Sequence, residues 1–172
     1  MNLKDWVTLI AAIIGVLLGI YNFIHTRLSE SVRLKIIPKA STWLGRDAAG
    51  SDVYFHTQND YDLDKGVRAP DTLSIEIINL SKFAVTVCEV GLVPRSKKGR
   101  MVLAVPILPA GGSWPCKLEP RENVLVFFSP TELISQERIA SMKTAYASTV
   151  CGTTCYGSSG ALHDFLRIAH AT

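Results

Sequence analysis

The feature that most constrains this chain is an uninterrupted apolar stretch near its N-terminus, from Trp6 to Ile24. The stretch contains no Asp, Glu, Lys, Arg or His, and as a helix it would extend about 28 Å, close to the roughly 30 Å hydrocarbon core of a bilayer. Its eleven Val, Leu, Ile and Phe residues favour insertion and outweigh Thr8, Asn22 and two glycines. A buried helix of a soluble domain is usually shorter and carries a polar face. The stretch therefore predicts a transmembrane helix.

A cleaved signal peptide is the main alternative interpretation of this stretch. The preceding residues carry Lys4 next to Asp5, and the segment Tyr21–His25 contains no small-x-small cleavage site. Amphipathic aromatic residues, which favour the headgroup layer, lie near the two ends at Trp6 and Tyr21. The pattern favours an uncleaved anchor with Trp6 and Tyr21 at the membrane interfaces.

The charged residues that flank the stretch predict its orientation. One basic residue, Lys4, precedes it, whereas Arg27, Arg33, Lys35 and Lys39 follow it closely. Because basic flanks are retained in the cytoplasm, we expect a single-pass protein of the cell inner membrane whose C-terminal domain is cytoplasmic. Arg27, Arg33 and Lys35 are expected at the membrane interface, where anionic lipid attracts them.

Three small residues, Ala11, Gly15 and Gly19, recur at every fourth position within the stretch. This spacing places them on one helix face, and such faces let two helices approach closely in lipid. Gly and Ala are also common in transmembrane helices, so the alternative interpretation is that the spacing reflects ordinary composition. The functional interpretation predicts helix–helix packing, and hence a homo-oligomer or a protein partner in a membrane complex.

The remainder of the 172-residue chain is long enough for one domain with a hydrophobic core and too short for two. The formal net charge is +3, and the basic residues are scattered apart from a turn-like cluster between Arg95 and Arg100. Without a basic stripe, no nucleic-acid partner is expected. The predicted organisation is an anchor and juncture at residues 1–31 and a single domain at residues 32–172.

Cysteine and acidic residues do not complete a metal motif. One close pair, Cys151 and Cys155, is present, whereas structural zinc usually needs two such pairs. The pair is reduced in a cytoplasmic domain and can close a small disulfide in an exported one. The acidic segment Asp60–Asp64 resembles part of an EF-hand loop, but Lys65 occupies the position that needs glycine. We predict a solvated acidic loop, with a weak cation site as the alternative, and no cofactor.

Period-two alternation dominates the rest of the chain and predicts strands. Pro38 is expected to end the first strand or to place it at an edge, and Gly91 is expected to mark a bulge. The strand that begins at Asn123 is apolar almost throughout, which predicts a central position. The predicted strands are Val32–Pro38, Asp52–Thr57, Thr72–Asn79, Phe83–Val93, Arg100–Val105, Asn123–Ser129 and Lys143–Val150.

Two helices are predicted in this domain. Ser129, Pro130 and Glu132 form a typical helix start, and that helix should run to about residue 140. The segment from Ala161 to His170 is amphipathic and closes the chain. Its expected buried face consists of Leu162, Phe165, Leu166 and Ala169.

The pattern Leu73-x-Ile-x-Ile-Ile-Asn-Leu-Ser-Lys-x-x-Val85-Thr-Val-x-x-Val90-Gly-Leu92, followed by Leu118-Glu-Pro-x-x-x-Val124-x-Val126, resembles an immunoglobulin-like sandwich. With the apolar stretch, the chain resembles small, largely uncharacterised bacterial single-pass membrane proteins that carry such a domain. The resemblance implies a mainly β fold, an antiparallel β-sandwich behind a single N-terminal transmembrane helix. It implies no catalytic residues.

No sequence motif supports an enzyme. Glycine-rich phosphate loops, HExxH and Gly-x-Ser-x-Gly are all missing from the sequence, and its four histidines are far apart. The first functional hypothesis is a membrane-anchored protein-interaction module, an accessory or regulatory subunit of a bacterial inner-membrane complex such as defence machinery. The second is a membrane effector that senses a ligand or cation and oligomerises through its transmembrane helix.

Overall fold

The computed structural model of the protein describes residues 3–46, 52–57, 72–96, 99–103, 106–108, 112–128 and 141–171. The chain divides into two compact units, Met1–Val32 and Arg33–Thr172. The first unit contains helix α1 (Leu3–Ser29). The second is a mainly β domain whose elements are β1 (Leu34–Arg46), β2 (Asp52–Thr57), β3 (Thr72–Asn79), β4 (Val85–Pro94), β5 (Met101–Val102), β6 (Cys116–Leu118), β7 (Asn123–Phe127), β8 (Met142–Thr149), β9 (Thr154–Gly157) and α2 (Gly160–Ala171). The predicted helix after Ser129 and the acidic segment Asp60–Asp64 lie outside the described residues.

The strands form two antiparallel sheets. The first has the order β2-β1-β3-β7, and the second has the order β5-β4-β8-β9. Strand β6 also pairs with β4. Val87 of β4 pairs with both Cys116 of β6 and Thr149 of β8. Strands β6 and β8 therefore lie on opposite sides of β4. Strand β1 packs against β8 and β9, so the two sheets are in contact.

Alternating apolar side chains from both sheets build the core. Leu73, Ile75 and Ile77 of β3 are fully buried, as are Val90 and Leu92 of β4. Burying one such side chain contributes roughly 1.5–3 kcal/mol, so these strands hold much of the stability of the domain. The alternation predicted for β3 is confirmed.

Strand β1 continues past Pro38, where the sequence predicted that it would end. Ser159 Oγ donates a hydrogen bond to the Pro38 carbonyl oxygen at 2.7 Å, so this carbonyl points away from β3. In an antiparallel strand the nitrogen and the carbonyl of one residue project to the same side. The nitrogen of Pro38 therefore faces away from β3, toward the side of β1 on which β2 lies. Strand β2 pairs with β1 only from Ala40 onward, so the missing N–H of Pro38 removes no hydrogen bond between strands. The predicted edge position is correct for Pro38 itself.

Strand β7 lies at an edge of the first sheet, and the prediction of a central strand is wrong. Its apolar sequence has another cause, because the consecutive residues Val126 and Phe127, which point to opposite faces, are both buried. The backbone of Ile107 also bridges Phe127, with N–H···O distances of 3.0 and 3.4 Å. Apolar residues on both faces of a strand therefore show that both faces are covered, and they do not show that the strand is central in its sheet.

The buried side chain of Asn79, the last residue of β3, connects three chain segments. Its amide nitrogen donates to the carbonyl oxygens of Phe83, Leu118 and Glu119 at 2.8, 3.0 and 3.2 Å. Its Oδ1 accepts a hydrogen bond from the backbone N–H of Ser81 at 2.9 Å. A buried amide with all its polar atoms paired fixes the position of the β3–β4 turn relative to the end of β6.

Helix α2 packs against β1 and β8. Ser159 caps its first turn, since Ser159 Oγ accepts a hydrogen bond from the Leu162 backbone N–H at 3.1 Å. Leu162, Phe165 and Leu166 are buried, which confirms the predicted apolar face at these three positions. The cap and the apolar face together explain why the chain becomes helical here.

Candidate interaction surface

The outward side of the second sheet carries polar and aromatic side chains on adjacent strands. Cross-strand partners share one face of an antiparallel sheet, and the register pairs Gly91 with Tyr146 and Tyr146 with Tyr156. Ala145 and Ala147, which flank Tyr146 in β8, are fully buried in the core, so Tyr146 points to the other side. We call this side the outer face; its described members include Glu89, Gly91, Val102, Tyr146, Ser148, Thr154 and Tyr156.

A bulge in β4 places Glu89 on the outer face. The register of β4 against β8 shifts between Val87 and Glu89. Val87 and Val90 are both fully buried, although residues three apart in a regular strand point to opposite sides. The extra residue of the bulge lets both reach the core, and the Trp114 indole N–H donates to the Cys88 carbonyl at 3.0 Å. The bulge was predicted at Gly91, and that prediction is wrong.

Gly91 has a different role, which is to make room for its neighbours on the outer face. A Cβ at Gly91 would overlap the Met101 carbonyl oxygen of β5 and would lie 3.0 Å from Tyr146 Cε1. Because the side chain is absent, β5 approaches β4 closely and the Tyr146 ring packs over the backbone. The ring is fully buried although it lies on the outer face.

Tyr146, Glu89 and Arg100 form one polar group, which we call the Tyr146 cluster. The Tyr146 hydroxyl donates to Glu89 Oε1 at 2.6 Å, and Arg100 Nε lies 3.2 Å from the same oxygen. The Arg100 guanidinium carbon lies 5.5 Å from the centre of the Tyr146 ring, a cation–π distance. Burial, reinforced by the bond to Glu89, raises the pKa of Tyr146 above its usual value. The phenol is protonated at neutral pH, as an ordinary tyrosine is, and it serves as a hydrogen-bond donor to Glu89.

Exposed side chains surround this fixed cluster. Tyr156 is 61% exposed and Val102 is 47% exposed, and the Tyr156 ring centre lies 6.5 Å from that of Tyr146. Ser148 and Thr154 share a side-chain hydrogen bond of 2.8 Å. Tyrosine and arginine are enriched at protein interfaces, where rigid aromatic groups lose little entropy on binding. The outer face therefore has the composition and rigidity of a protein-binding surface.

Helix α1 carries the residues predicted for helix–helix packing. Ala11, Gly15 and Gly19 lie along one face of it, and beyond the helix itself no described atom comes within 4 Å of a Cβ built at Gly15 or Gly19. None of the described side chains of the stretch Trp6–Arg27 is buried, and its mean hydropathy is 2.4. In the part of the chain that the structure describes, α1 is the one helix long and apolar enough to span a membrane. The packing role of its small residues stays a prediction.

The residues predicted at the membrane interface fall into both units. Trp6 and Tyr21 are exposed on α1, about 22 Å apart along the helix axis. Arg27 lies in the last turn of α1, with its guanidinium carbon 5.9 Å from the Phe23 ring centre. Arg33 and Lys35, in contrast, are exposed residues of the β domain, at and just after the start of β1.

The β8–β9 turn contains the exposed cysteine Cys151, which forms no disulfide. Its Sγ lies 3.0 Å from the Thr149 hydroxyl. This hydroxyl, followed by the Thr153 backbone, lowers the pKa of the Cys151 thiol. Cys155 pairs with Ala147 on the inward side of β9. Among the described residues, no three His, Cys, Asp or Glu side chains come together as metal ligands.

Sequence reasoning did not identify the Tyr146 cluster. Tyr146 and Glu89 are 57 positions apart, and Arg100 lies where the turn-like basic cluster meets the start of a predicted strand. The one available signal was Gly91, because a glycine that interrupts a strand indicates a close approach of other atoms. The interrupted strand was recognised, but the approaching group was not.

Comparisons with protein-family models, with curated proteins and with solved structures return no significant match.

Proposed function

We propose that this chain is a membrane-anchored protein-interaction module, in which α1 crosses a bilayer once and the outer face binds a protein partner. The observation that carries the proposal is the exposure of α1. Each large apolar side chain described for the stretch, from Trp6 to Ile24, is at least half exposed. An apolar surface of this size is unstable in water and matches the length of a hydrocarbon core.

The flanking charges supply the proposed orientation. Lys4 precedes the apolar stretch of α1, whereas Arg27, Arg33, Lys35 and Lys39 follow that stretch. This distribution favours a cytoplasmic β domain in a bacterial inner membrane. A cytoplasmic domain on a single span suits an accessory or regulatory subunit, which brings its binding surface to a complex in the same membrane.

The strand order supports an immunoglobulin-like sandwich as the proposed fold type. In such domains strands A, B and E share one sheet and strands C, F and G share the other. Here β1, β3 and β7 are neighbours in the first sheet, and β4, β8 and β9 are neighbours in the second. Strand β2 beside β1 and helix α2 are additions to that order. Domains of this architecture serve widely as binding modules. A binding role inferred from the strand order is an analogy of fold alone.

The outer face is the proposed binding surface because it combines a buried polar support with exposed contact groups. The Tyr146 cluster fixes Glu89 and Arg100, and Tyr156 projects beside them. The alternative of a cation-sensing effector relies on the acidic segment 60–64, which lies outside the described residues.

The proposal is tested first on the anchor. The full-length chain with a C-terminal tag after Thr172 is expected to stay in the membrane fraction after alkaline carbonate extraction. The tag should be digested by protease only after the cytoplasmic side is opened. Release of the protein by carbonate would refute membrane anchoring, and digestion of the tag from the outside would refute the orientation.

The binding surface is tested by photo-crosslinking of the full-length chain in its membrane. A photoreactive phenylalanine analogue is placed at Tyr156 on the outer face or, as the matched control, at His163, an exposed position on α2. We expect a discrete adduct from position 156 and none from position 163. An adduct of twice the chain mass would identify a second copy, and equal labelling from both positions would refute the assignment of the surface.

A further inference from the structure

Four segments of the β domain meet at the end where the chain arrives at Arg33, and we call this the Arg33 end. The Leu80 backbone N–H donates to the Arg33 carbonyl oxygen at 2.8 Å, and the Val150 N–H donates to the Thr86 carbonyl oxygen at 3.0 Å. Because paired strands are antiparallel, the start of β4 lies beside the ends of β6 and β8. A short turn connects the start of β4 to the end of β3. The four segments are Arg33 with the start of β1, the β3–β4 turn (80–84), the β6–β7 turn (119–122) and the β8–β9 turn (150–153).

Hydrogen bonds to Asn79 make this end a fixed surface. The Asn79 N–H donates to the Glu122 carbonyl, and the Asn79 carbonyl accepts from the Arg121 N–H, both at 2.9 Å. The Asn79 side chain also holds the Phe83 carbonyl at 2.8 Å. The β3–β4 and β6–β7 turns are therefore fastened to the same buried residue, and their exposed side chains keep a constant spacing.

Apolar and basic side chains are exposed together at the Arg33 end. Leu80, Phe83 and Val150 are 39%, 37% and 67% exposed. The exposed charged residues at position 33, in the three turns and in the adjoining β6 are Arg33, Lys82, Lys117, Arg121, Glu119 and Glu122, which give a net charge of +2. Glu122 is engaged within its own turn, where Oε2 accepts the Glu119 N–H at 2.7 Å. Exposed apolar groups between basic groups match the surface of an anionic bilayer.

The covalent connection keeps this end near the membrane, whichever way the two units are oriented. Arg33 lies six residues after Arg27, which ends the candidate membrane span Trp6–Arg27. Six residues extend at most about 21 Å. If α1 spans the bilayer, the Arg33 end is tethered within that distance of the headgroups, at a high effective concentration of lipid.

We propose that the Arg33 end docks onto the anionic surface of the membrane that α1 crosses. Its three exposed apolar side chains enter the headgroup layer, and Lys82 and Arg121 contact lipid phosphates. This inference rests on the proposed membrane anchoring and extends it by giving the β domain a lipid partner of its own. Each basic side chain near an anionic surface favours the docked state roughly fivefold.

The test uses the full-length chain in nanodiscs that contain headgroup-nitroxide lipid. A fluorophore is attached to Cys151, the exposed native thiol in the β8–β9 turn. The control carries Cys151→Ser with Lys143→Cys, which moves the label to the opposite end of β8, about 26 Å away. A Cys151→Ser protein measures labelling of the other three cysteines. In nanodiscs of phosphatidylcholine with phosphatidylglycerol, we expect strong quenching of the label at position 151 and little at position 143.

Two charge variants show whether anionic lipid causes the docking. Lys82→Gln with Arg121→Asn removes two basic groups, and asparagine tolerates the positive φ of 71° at position 121. This pair is expected to lower the ratio of docked to undocked domains roughly 25-fold. Arg95→Gln with Lys143→Gln removes the same charge at the far end and should leave quenching at Cys151 unchanged.

Pure phosphatidylcholine nanodiscs should reduce quenching at Cys151 in the unaltered protein, which tests the inference without a variant. Equal quenching of the labels at positions 151 and 143 would overturn the docking. The docking would also be overturned if quenching at position 151 did not change with the lipid charge or with the Lys82/Arg121 substitutions. A protein that does not co-elute with nanodiscs would overturn the anchoring as well. A chain that co-elutes but is not quenched at Cys151 retains the anchor and refutes the docking alone.

Discussion

Tyr146→Phe tests the Tyr146 cluster by removing a single atom. The ring is fully buried, and phenylalanine keeps its volume, so no cavity forms. The change removes the hydrogen bond of 2.6 Å to Glu89 Oε1. A hydrogen bond to a charged acceptor contributes about 1.5–3 kcal/mol. Because Arg100 Nε stays 3.2 Å from the same oxygen, Glu89 keeps a partner, and we expect a loss near the lower value, about 1.5 kcal/mol.

The cost of this substitution should fall at high pH. Burial and the bond to Glu89 raise the pKa of Tyr146 in the folded state, whereas an unfolded tyrosine titrates near pH 10. Above about pH 10 the unfolded chain releases a proton that the folded chain keeps, so the unaltered protein loses about 1.4 kcal/mol of stability per pH unit relative to the phenylalanine variant. A difference of about 1.5 kcal/mol at pH 7 should therefore vanish near pH 11.

The measurement is urea unfolding of the full-length protein in detergent, followed by circular dichroism at several pH values. Tyr156→Phe is the matched control, since Tyr156 lies on the same face but is mostly exposed and should change stability by less than about 0.5 kcal/mol. A double-mutant cycle with Glu89→Gln isolates the pair. Equal stability of Tyr146→Phe and the unaltered protein at pH 7, or a difference that stays constant to pH 11, would refute the described cluster.

Three further substitutions test other parts of the structure. Asn79→Ala should cost about 3 kcal/mol or more in urea unfolding, because three backbone carbonyl groups, one of them in a fully buried bond, lose their donor. Asn123→Ala, at an exposed position, should cost under about 1 kcal/mol. Gly91→Ala should lower stability by about 1–3 kcal/mol, as its Cβ displaces β5; unchanged stability would contradict the close approach. Thr149→Val should raise the pKa of Cys151 and slow its alkylation at pH 7, while Thr149→Ser should preserve the rate.

Local periodicity accounts for the parts of the fold that the sequence predicted correctly. The apolar stretch of α1, the alternation of Leu73, Ile75 and Ile77, and the buried face of α2 each follow from residues within one element. The position of β7 could not be obtained this way, because a strand covered by a crossing segment has the same apolar sequence as a central strand. Strand β1 can continue past Pro38 because the pairing with β2 begins only at Ala40. The residues near Pro38 do not show where that pairing begins.

The candidate surface was harder to predict than the fold, since its members meet only through pairing of distant strands. Glu89 reaches the outer face because of a bulge that also lets Val87 and Val90 face inward. Simple alternation places these two valines on opposite sides, so the pattern alone cannot show where Glu89 points. Tyr146 was counted as an ordinary strand residue, and its burial depends on the absence of a side chain at Gly91. The sequence shows the glycine that leaves this space, but it does not show which distant residue fills it.

The two proposed surfaces together restrict the kind of partner that the outer face can bind. The turns of the Arg33 end lie at the ends of the strands, whereas the outer face is a side of the second sheet. Side chains of a sheet stand roughly perpendicular to its strands. A domain docked on lipid by its Arg33 end therefore directs Tyr156 and Arg100 along the membrane plane. The partner expected there is a neighbour in the same membrane, either a second copy or another subunit, and crosslinks from position 156 should depend on the same lipid charge that controls quenching at Cys151.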